Sequence, residues 1–97
     1  MRRRRYLVTY DIREPRRLRK VHQAMRGFGY PLQYSVFVCD LDWSEKVEMR
    51  LRIGELIRHN EDSVALVDLG DCTAPSARRF EFLGTMQGLP EGGAHVV

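Results

Sequence analysis

The order in which strand-like and helix-like segments alternate constrains the fold of this chain more than any other feature. Tyr6–Asp11 is a short run of β-branched and aromatic residues closed by a turn, which is typical of a strand. A helix is predicted to open at Glu14-Pro15, because proline suits the first helical position and a carboxylate suits the helix dipole there. Its buried face is predicted to comprise Leu18, Val21, Met25 and Phe28.

The middle of the chain repeats this alternation. Tyr30–Leu41 is too long and too rich in Tyr, Val and Phe for anything but extended structure. It is predicted to form one bent strand, or two strands with a tight corner near Tyr34–Ser35. A second helix is predicted from Trp43 or Ser44 to about His59, with Ser44 as its N-cap. The apolar residues assigned to its buried face are Val47, Leu51, Ile53, Leu56 and Ile57.

Two further strands are predicted, at Ser63–Leu69 and at Phe80–Leu83. Two helices interleaved with about four strands predict an α+β fold, a ferredoxin-like βαββαβ sandwich with an extra short C-terminal strand. The 97 residues leave room for one domain, predicted over 1–84. Residues 85–97, which are rich in glycine and show neither a helix nor a strand pattern, are predicted to be a flexible tail.

Basic residues are concentrated at the start of the chain. Residues 1–20 hold nine basic and two acidic groups, a net charge of +7, whereas the other 77 residues hold seven basic and eleven acidic groups, a net charge of −4. Fourteen of the 16 cations are Arg, whose guanidinium binds phosphate through paired N–H groups. This asymmetry indicates a polyanionic partner, with a solvated charged face as the alternative. Arg2–Arg5 is interpreted as a flexible clamp on phosphate.

Several classes of protein are excluded by the same sequence. No apolar run exceeds four residues, so no membrane span is predicted. The apolar stretch after the basic start is broken by Thr9 and Asp11, which argues against a signal peptide. Cys39 and Cys72 show neither metal-site spacing nor a disulfide framework, and a reducing cytoplasm is the expected location.

Asp11 is the first candidate for chemistry, because it ends the first predicted strand just before the arginine-rich helix. An aspartate in this position is most often a turn or N-cap residue. Here Glu14 already supplies the negative charge at the cap. A carboxylate beside Arg13, Arg16 and Arg17 combines a ligand for a hard cation with binders of phosphate, as phosphodiester hydrolysis requires.

One carboxylate alone makes a poor metal site, because Mg²⁺ usually takes one or two carboxylates, with water and substrate phosphate filling the other positions. A two-fold homodimer would bring a second Asp11 to the same ion. Arg19 is a further candidate for phosphate binding. Arg78 and Arg79, just before the last predicted strand, are further candidates, with solvated charge as the alternative.

Five segments, in this order and at this spacing, carry a family resemblance. They are Val8–Ile12, Arg16–Val21, Leu32–Cys39, Glu61–Val64 and Phe80–Gly84. Over about residues 5–84 the chain resembles the small CRISPR-associated endoribonucleases, the Cas-two proteins, which partner the integrase in acquiring new spacers.

The resemblance implies a ferredoxin-like homodimer in which the last short strand adds to the partner's sheet. It also implies a metal site made by Asp11 of both subunits. Ser35 is expected near that site, holding a water or a phosphate, while Phe37, Phe80 and Phe82 are expected at the dimer interface. Members of the family act as metal-dependent nucleases on single-stranded RNA or double-stranded DNA, and as DNA-binding scaffolds for the integrase.

We therefore expect a homodimeric, Mg²⁺-dependent endonuclease of CRISPR adaptation, with Asp11 and Ser35 as catalytic residues. The alternative is a non-catalytic scaffold that holds prespacer DNA for the CRISPR integrase. A third class, a small-molecule regulatory domain of the same fold, is disfavoured by the basic start of the chain. No base-reading motif decides between RNA and DNA.

Overall fold

Strands and helices follow one another as the apolar pattern predicts. The computed structural model describes residues 2–72, 80–85 and 95–96. Within these ranges the elements are β1 (Arg4–Asp11), α1 (Pro15–Met25), β2 (Tyr30–Gln33), β3 (Val36–Leu41), α2 (Trp43–Leu56), β4 (Ser63–Asp71), β5 (Glu81–Phe82) and β6 (His95–Val96).

The first four strands form one antiparallel sheet in the order β2-β3-β1-β4. β1 therefore lies inside the sheet, with β3 on one side and β4 on the other. This order, with one helix after β1 and one after β3, is that of the ferredoxin-like sandwich. The predicted fold class is confirmed. The long extended segment is two strands, separated by a turn at Tyr34–Ser35.

Side-chain alternation along β1 divides the sheet into two faces. Tyr6, Val8 and Tyr10 are buried and belong to the hydrophobic core, together with residues of both helices. Leu7 and Asp11 point to the opposite face, and Asp11 is exposed. The core is therefore on one side of the sheet, and the last residue of β1 faces away from it.

The prediction for α1 is confirmed in its start and its buried residues, but the helix ends at Met25, so Phe28 lies in the turn that follows it. Val21 and Met25 have no exposed surface, while Leu18 and Phe28 pack partly buried against the same core. Glu14 caps the helix, and proline occupies its first position.

The prediction for α2 requires three corrections. Asp42 rather than Ser44 is the N-cap, because its carboxylate accepts from the Glu45 amide while Glu45 accepts from the Asp42 amide. The helix ends at Leu56, before His59. Leu51, which the sequence assigned to the buried face, is 64% exposed, and Met49 is buried in the core instead.

Neither helix in the described part of the chain has the length and apolar character of a membrane span.

The C-terminal part of the described chain contains one expected strand and one unexpected one. β5 confirms the short strand predicted near Phe82. β6 lies where no strand was predicted, and it pairs in parallel with β5 through Glu81 with His95 and Phe82 with Val96. β5 lies within the apolar run Phe80–Leu83 that predicted it, whereas the two residues of β6 are too few to show an alternation.

Two glycines provide a matched test of the packing. A Cβ added at Gly29 would meet the Val38 carbonyl and the Cys39 sulfur, whereas one added at Gly54 in α2 meets nothing within 4 Å. We expect Gly29→Ala to lower the free energy of unfolding by about 1–3 kcal/mol through overpacking. Gly54→Ala should raise it by up to about 1 kcal/mol through helix propensity. Urea unfolding of both variants measures this, and equal effects would contradict the close approach at Gly29.

Candidate functional site

Asp11 lies at the end of β1, beside the starts of β3 and β4. It is paired across the sheet with Ser63, the first residue of β4. The neighbouring Tyr10 amide donates to the Ser35 carbonyl over 3.1 Å. Glu14 and not Asp11 caps α1, so the N-cap interpretation of Asp11 is excluded. The Asp11 carboxylate is exposed and has no ion pair with another residue of the described ranges.

Ser35 is held beside this strand end by the turn that contains it. The Tyr34 carbonyl accepts from the Tyr10 hydroxyl and from His22 Nδ1, the latter over 2.8 Å. A carbonyl can only accept, so Nδ1 of His22 carries a proton. Burial raises the pKa of Tyr10 to about 12, which keeps its hydroxyl a donor. The His22 and Tyr34 rings also stack, with centroids 4.0 Å apart.

The arginines predicted to bind nucleic acid fall into two groups. Arg13, Arg16 and Arg19 are exposed, and their guanidinium groups pair with no acidic group in the described part of the chain. The side chain of Arg17 is only 17% exposed, and it donates from Nε and Nη2 to the carboxylate of Asp62 over 2.9 and 3.2 Å. Arg17 therefore has a structural partner, whereas phosphate binding by the exposed group stays a prediction.

The N-terminus of α1 is already satisfied by its own cap. Glu14 accepts from the Arg16 amide over 2.7 Å and from the Arg17 amide over 3.0 Å. The first of these bonds is the main cause of the lowered pKa of Glu14. A phosphate near this helix end would therefore meet arginine side chains rather than free backbone N–H groups.

Asp62 is a residue of this region that sequence reasoning missed. Its side chain has no exposed surface, and its carboxylate accepts from the Arg17 side chain and from the Arg13 and Arg58 amides. The Arg17 side chain is the largest cause of a pKa well below the usual range for aspartate. No local signal distinguishes such a residue from a solvated aspartate before a strand, because its partners are distant in sequence.

The N-terminal arginines are not a flexible clamp. Arg4 and Arg5 belong to β1, and Arg5 is only 2% exposed. Each of the four pairs with an acidic residue from later in the chain: Arg2 with Asp71 at 2.9 Å, Arg3 with Glu45 at 2.7 Å, Arg4 with Asp68 at 2.9 Å and Arg5 with Asp40 at 2.7 Å. Much of the positive charge at the start of the chain is therefore balanced within the molecule.

The donor set at the end of β1 fits a divalent cation only in part. An exposed carboxylate is a hard oxygen ligand of the kind that Mg²⁺ prefers. Among the described residues, however, no group of three or more His, Cys, Asp or Glu side chains could hold a metal ion. Within the described ranges Asp11 therefore belongs to no such group, and the residues of one chain do not complete a metal site there.

Comparison with known proteins assigns the family. The family model of CRISPR associated protein Cas2 matches residues 4–74. The chain belongs to the Cas2 family. A CRISPR-associated endoribonuclease Cas2 of Geobacter sulfurreducens is 48% identical over 65 residues, which are 67% of this chain and 68% of that protein. A CRISPR-associated endoribonuclease Cas2 of Thermodesulfovibrio yellowstonii is 38% identical over 87 residues, which are 90% of each chain.

A solved Cas2 structure confirms the fold as well. The crystal structure of Streptococcus pyogenes Cas2 matches this chain with a TM-score of 0.74 and 33% sequence identity, covering 82% of this chain and 99% of that one. The resemblance inferred from the five sequence segments is therefore confirmed.

In this Cas2-family chain, the three phenylalanines expected at a dimer interface lie in different environments. Phe37 has no exposed surface and packs in the core, 6.3 Å from Tyr10 and 5.3 Å from His22 between ring centroids. It has no free surface for a second copy, so its predicted interface role finds no support in its position. Phe80 and Phe82 are half-buried and stack at 6.4 Å, and their role stays a prediction. Arg78 and Arg79 lie outside the described residues.

The buried carboxylate of Asp62 predicts a specific pH dependence of stability. An unfolded aspartate has a pKa of about 3.9, and that of folded Asp62 is lower. The ionised group therefore contributes stability above about pH 4, and this contribution is lost as the pH falls toward the folded-state pKa. We expect Asp62→Asn to be less stable than wild type at neutral pH and to lose less stability on acidification.

Urea unfolding at about pH 7 and about pH 3.5 measures this difference. Asp68→Asn is the control, because Asp68 forms an exposed pair with Arg4 and should change the pH dependence less. Parallel pH profiles for wild type and Asp62→Asn would contradict the prediction.

Proposed function

We propose that this Cas2-family chain is a homodimeric, metal-dependent endonuclease that hydrolyses phosphodiester bonds of RNA or double-stranded DNA during CRISPR adaptation. The exposed Asp11 carboxylate, beside exposed Arg13 and Arg16 at one end of the sheet, is the observation that carries the proposal. The names of the endoribonuclease relatives support the same reaction.

The homodimer follows from the incomplete site. The sheet face opposite the helices carries apolar residues from three strands, namely Leu7, Val36, Ala65 and Val67, and Val67 is 46% exposed. Asp11 belongs to the same face, because it alternates with Tyr10. A two-fold contact through this face would use the same residues of both copies and bring their Asp11 carboxylates toward one another.

Each group of the site then has a separate task. The two Asp11 carboxylates hold the divalent cation, for which Mg²⁺ is the expected ion. When bound, such a cation polarises the scissile phosphate. Arg13, Arg16 and Arg19 bind the flanking phosphates through paired N–H groups. The Ser35 hydroxyl donates to a phosphate oxygen or to a water at the strand end.

A second candidate function is a scaffold that binds DNA and holds it for the CRISPR integrase. The specific observation that favours it is a row of exposed cations along α1, Arg16, Arg19 and Lys20, spaced three and four residues apart and therefore on one side of the helix. Phosphate binding by this row does not need Asp11. Cleavage and DNA binding are accordingly separable by substitution.

The nuclease proposal predicts that Asp11→Ala abolishes metal-stimulated cleavage and leaves the dimer folded. Purified wild type and variant are incubated with single-stranded RNA and with duplex DNA, each in Mg²⁺ and in EDTA. Size-exclusion chromatography with light scattering reports the dimer. Asp68→Ala, which removes an exposed carboxylate elsewhere in the sheet, is expected to retain cleavage. Full activity in Asp11→Ala would remove Asp11 from the mechanism.

Nucleic-acid binding through α1 predicts a site-specific change in salt dependence. In EDTA, Arg16→Gln should reduce the slope of log affinity against log salt by about 1, because one phosphate contact is lost. Arg26→Gln removes the same charge from the other end of α1, about 15 Å away at 1.5 Å per residue, and should leave the slope nearly unchanged. Equal slopes for the two variants would indicate a general charge effect instead.

A further inference from the structure

The carboxylate of Asp62 is a junction of three chain segments. Oδ1 accepts from the Arg13 amide at 2.9 Å and from Arg17 Nη2 at 3.2 Å. Oδ2 accepts from Arg17 Nε at 2.9 Å and from the Arg58 amide at 2.9 Å. The loop after β1, the first turn of α1 and the segment after α2 therefore meet on one side chain that has no exposed surface.

Asp62 is connected to the backbone near Asp11 in two ways. On one side, Ser63 follows Asp62 directly and is the cross-strand partner of Asp11. On the other side, Arg13 stands two residues after Asp11, and its amide is held by Asp62 itself. Between them, Ile12 is 7% exposed and belongs to the core. The backbone on both sides of the exposed carboxylate is thus fixed, while its side chain forms no ion pair with the residues that the structure describes.

The Asp62 carboxylate also distinguishes the two neighbouring arginines, because it pairs with the side chain of one and only with the backbone of the other. Asp62 holds the guanidinium of Arg17, whereas the Arg13 side chain is exposed although its amide is held by the same carboxylate. A side chain with an acidic partner has fewer N–H groups to offer to a phosphate. Asp62 therefore contacts the backbone close to Asp11 and one of the neighbouring cations without being exposed itself.

We infer that Asp62 is a positioning residue for the Asp11 site, one that preorganises the Asp11 carboxylate for a divalent cation. This inference rests on the proposed function, in which Asp11 holds that cation. Groups that orient a metal ligand from behind typically change metal affinity by about 10- to 100-fold when they are lost. A buried ion pair that acted only on stability would have no such effect on binding in the folded protein.

The chain offers a matched control in a second aspartate–arginine pair. Asp40 accepts from Arg5 Nε and Nη2, each over 2.7 Å, and Arg5 is buried. It therefore resembles the Asp62–Arg17 pair in geometry. Arg5 precedes Asp11 by six residues in β1, about 20 Å at 3.4 Å per residue. Asp40→Asn should lower stability without reaching the Asp11 end of the sheet.

The test is binding of Mn²⁺ alone to the dimer without nucleic acid, measured from the electron paramagnetic resonance signal of free Mn²⁺. Wild type, Asp62→Asn, Asp40→Asn and Asp11→Ala are compared well below their unfolding temperatures. We expect affinity about 10-fold weaker in Asp62→Asn, near the wild-type value in Asp40→Asn and lost in Asp11→Ala. Amide hydrogen exchange should also become faster at Arg13 in Asp62→Asn and stay slow there in Asp40→Asn.

The outcomes separate the two proposals. Unchanged Mn²⁺ affinity in Asp11→Ala overturns the proposed metal site itself. Loss in Asp11→Ala, together with equal affinities in Asp62→Asn and Asp40→Asn, overturns only the positioning role. If Asp62→Asn fails to fold, Arg17→Lys keeps the positive charge but not the paired N–H groups, and it should weaken Mn²⁺ binding in the same direction. Wild-type affinity in Arg17→Lys would then count as the overturning result.

Discussion

The pairing of β1 with β3 on one side and β4 on the other is the interaction on which the rest of the structure depends. It makes β1 an interior strand, whose residues Tyr6, Val8 and Tyr10 are buried in the core between the sheet and the helices. It also places the starts of β3 and β4 beside the end of β1. The exposed Asp11 carboxylate at that end therefore lies beside three loops, although each loop is short and comes from a different part of the sequence.

Charge is distributed quite differently in the folded chain and along the sequence. The basic start and the more acidic remainder look like two separate blocks in the sequence, but folding brings Arg2–Arg5 against four acidic partners. The exposed pairs among them contribute little to stability each. Among the described residues they leave Arg13 and the exposed cations of α1, namely Arg16, Arg19 and Lys20, as the unbalanced positive charge near the start of the chain. Any electrostatic attraction of a polyanion is therefore directed toward the helix that begins beside Asp11.

Local signals predicted most of the fold, and their failures have local reasons. The spacing of Leu18, Val21 and Met25 has one good helical interpretation, and α1 follows it as far as Met25. Phe28 packs against the same core from the turn after the helix. In α2 the apolar residues are distributed around the helix, so Leu51 was placed inward although Met49 occupies the core. Asp42 and Ser44 are both favourable caps, and only the reciprocal bond with Glu45 decides between them. Asp62 lay beyond sequence reasoning, because Arg13 and Arg17 reach it across about 45–50 residues. The functional roles of Asp11, Ser35 and the exposed arginines remain predictions.

Two side-chain hydrogen bonds that hold the Tyr34–Ser35 turn are both accepted by the backbone carbonyl of Tyr34. The donors are the Tyr10 hydroxyl in β1 and His22 Nδ1 in α1, so the conformation of the turn is encoded by residues outside it. Every amino acid brings the same carbonyl, and substitution at position 34 would keep both acceptor bonds while giving up the ring stacking. Replacement of Tyr10 or of His22 by a residue without a donor would remove one of the two hydrogen bonds to the Tyr34 carbonyl. The conformation of this turn therefore depends more on the side chains of β1 and α1 than on the side chain at its own position 34.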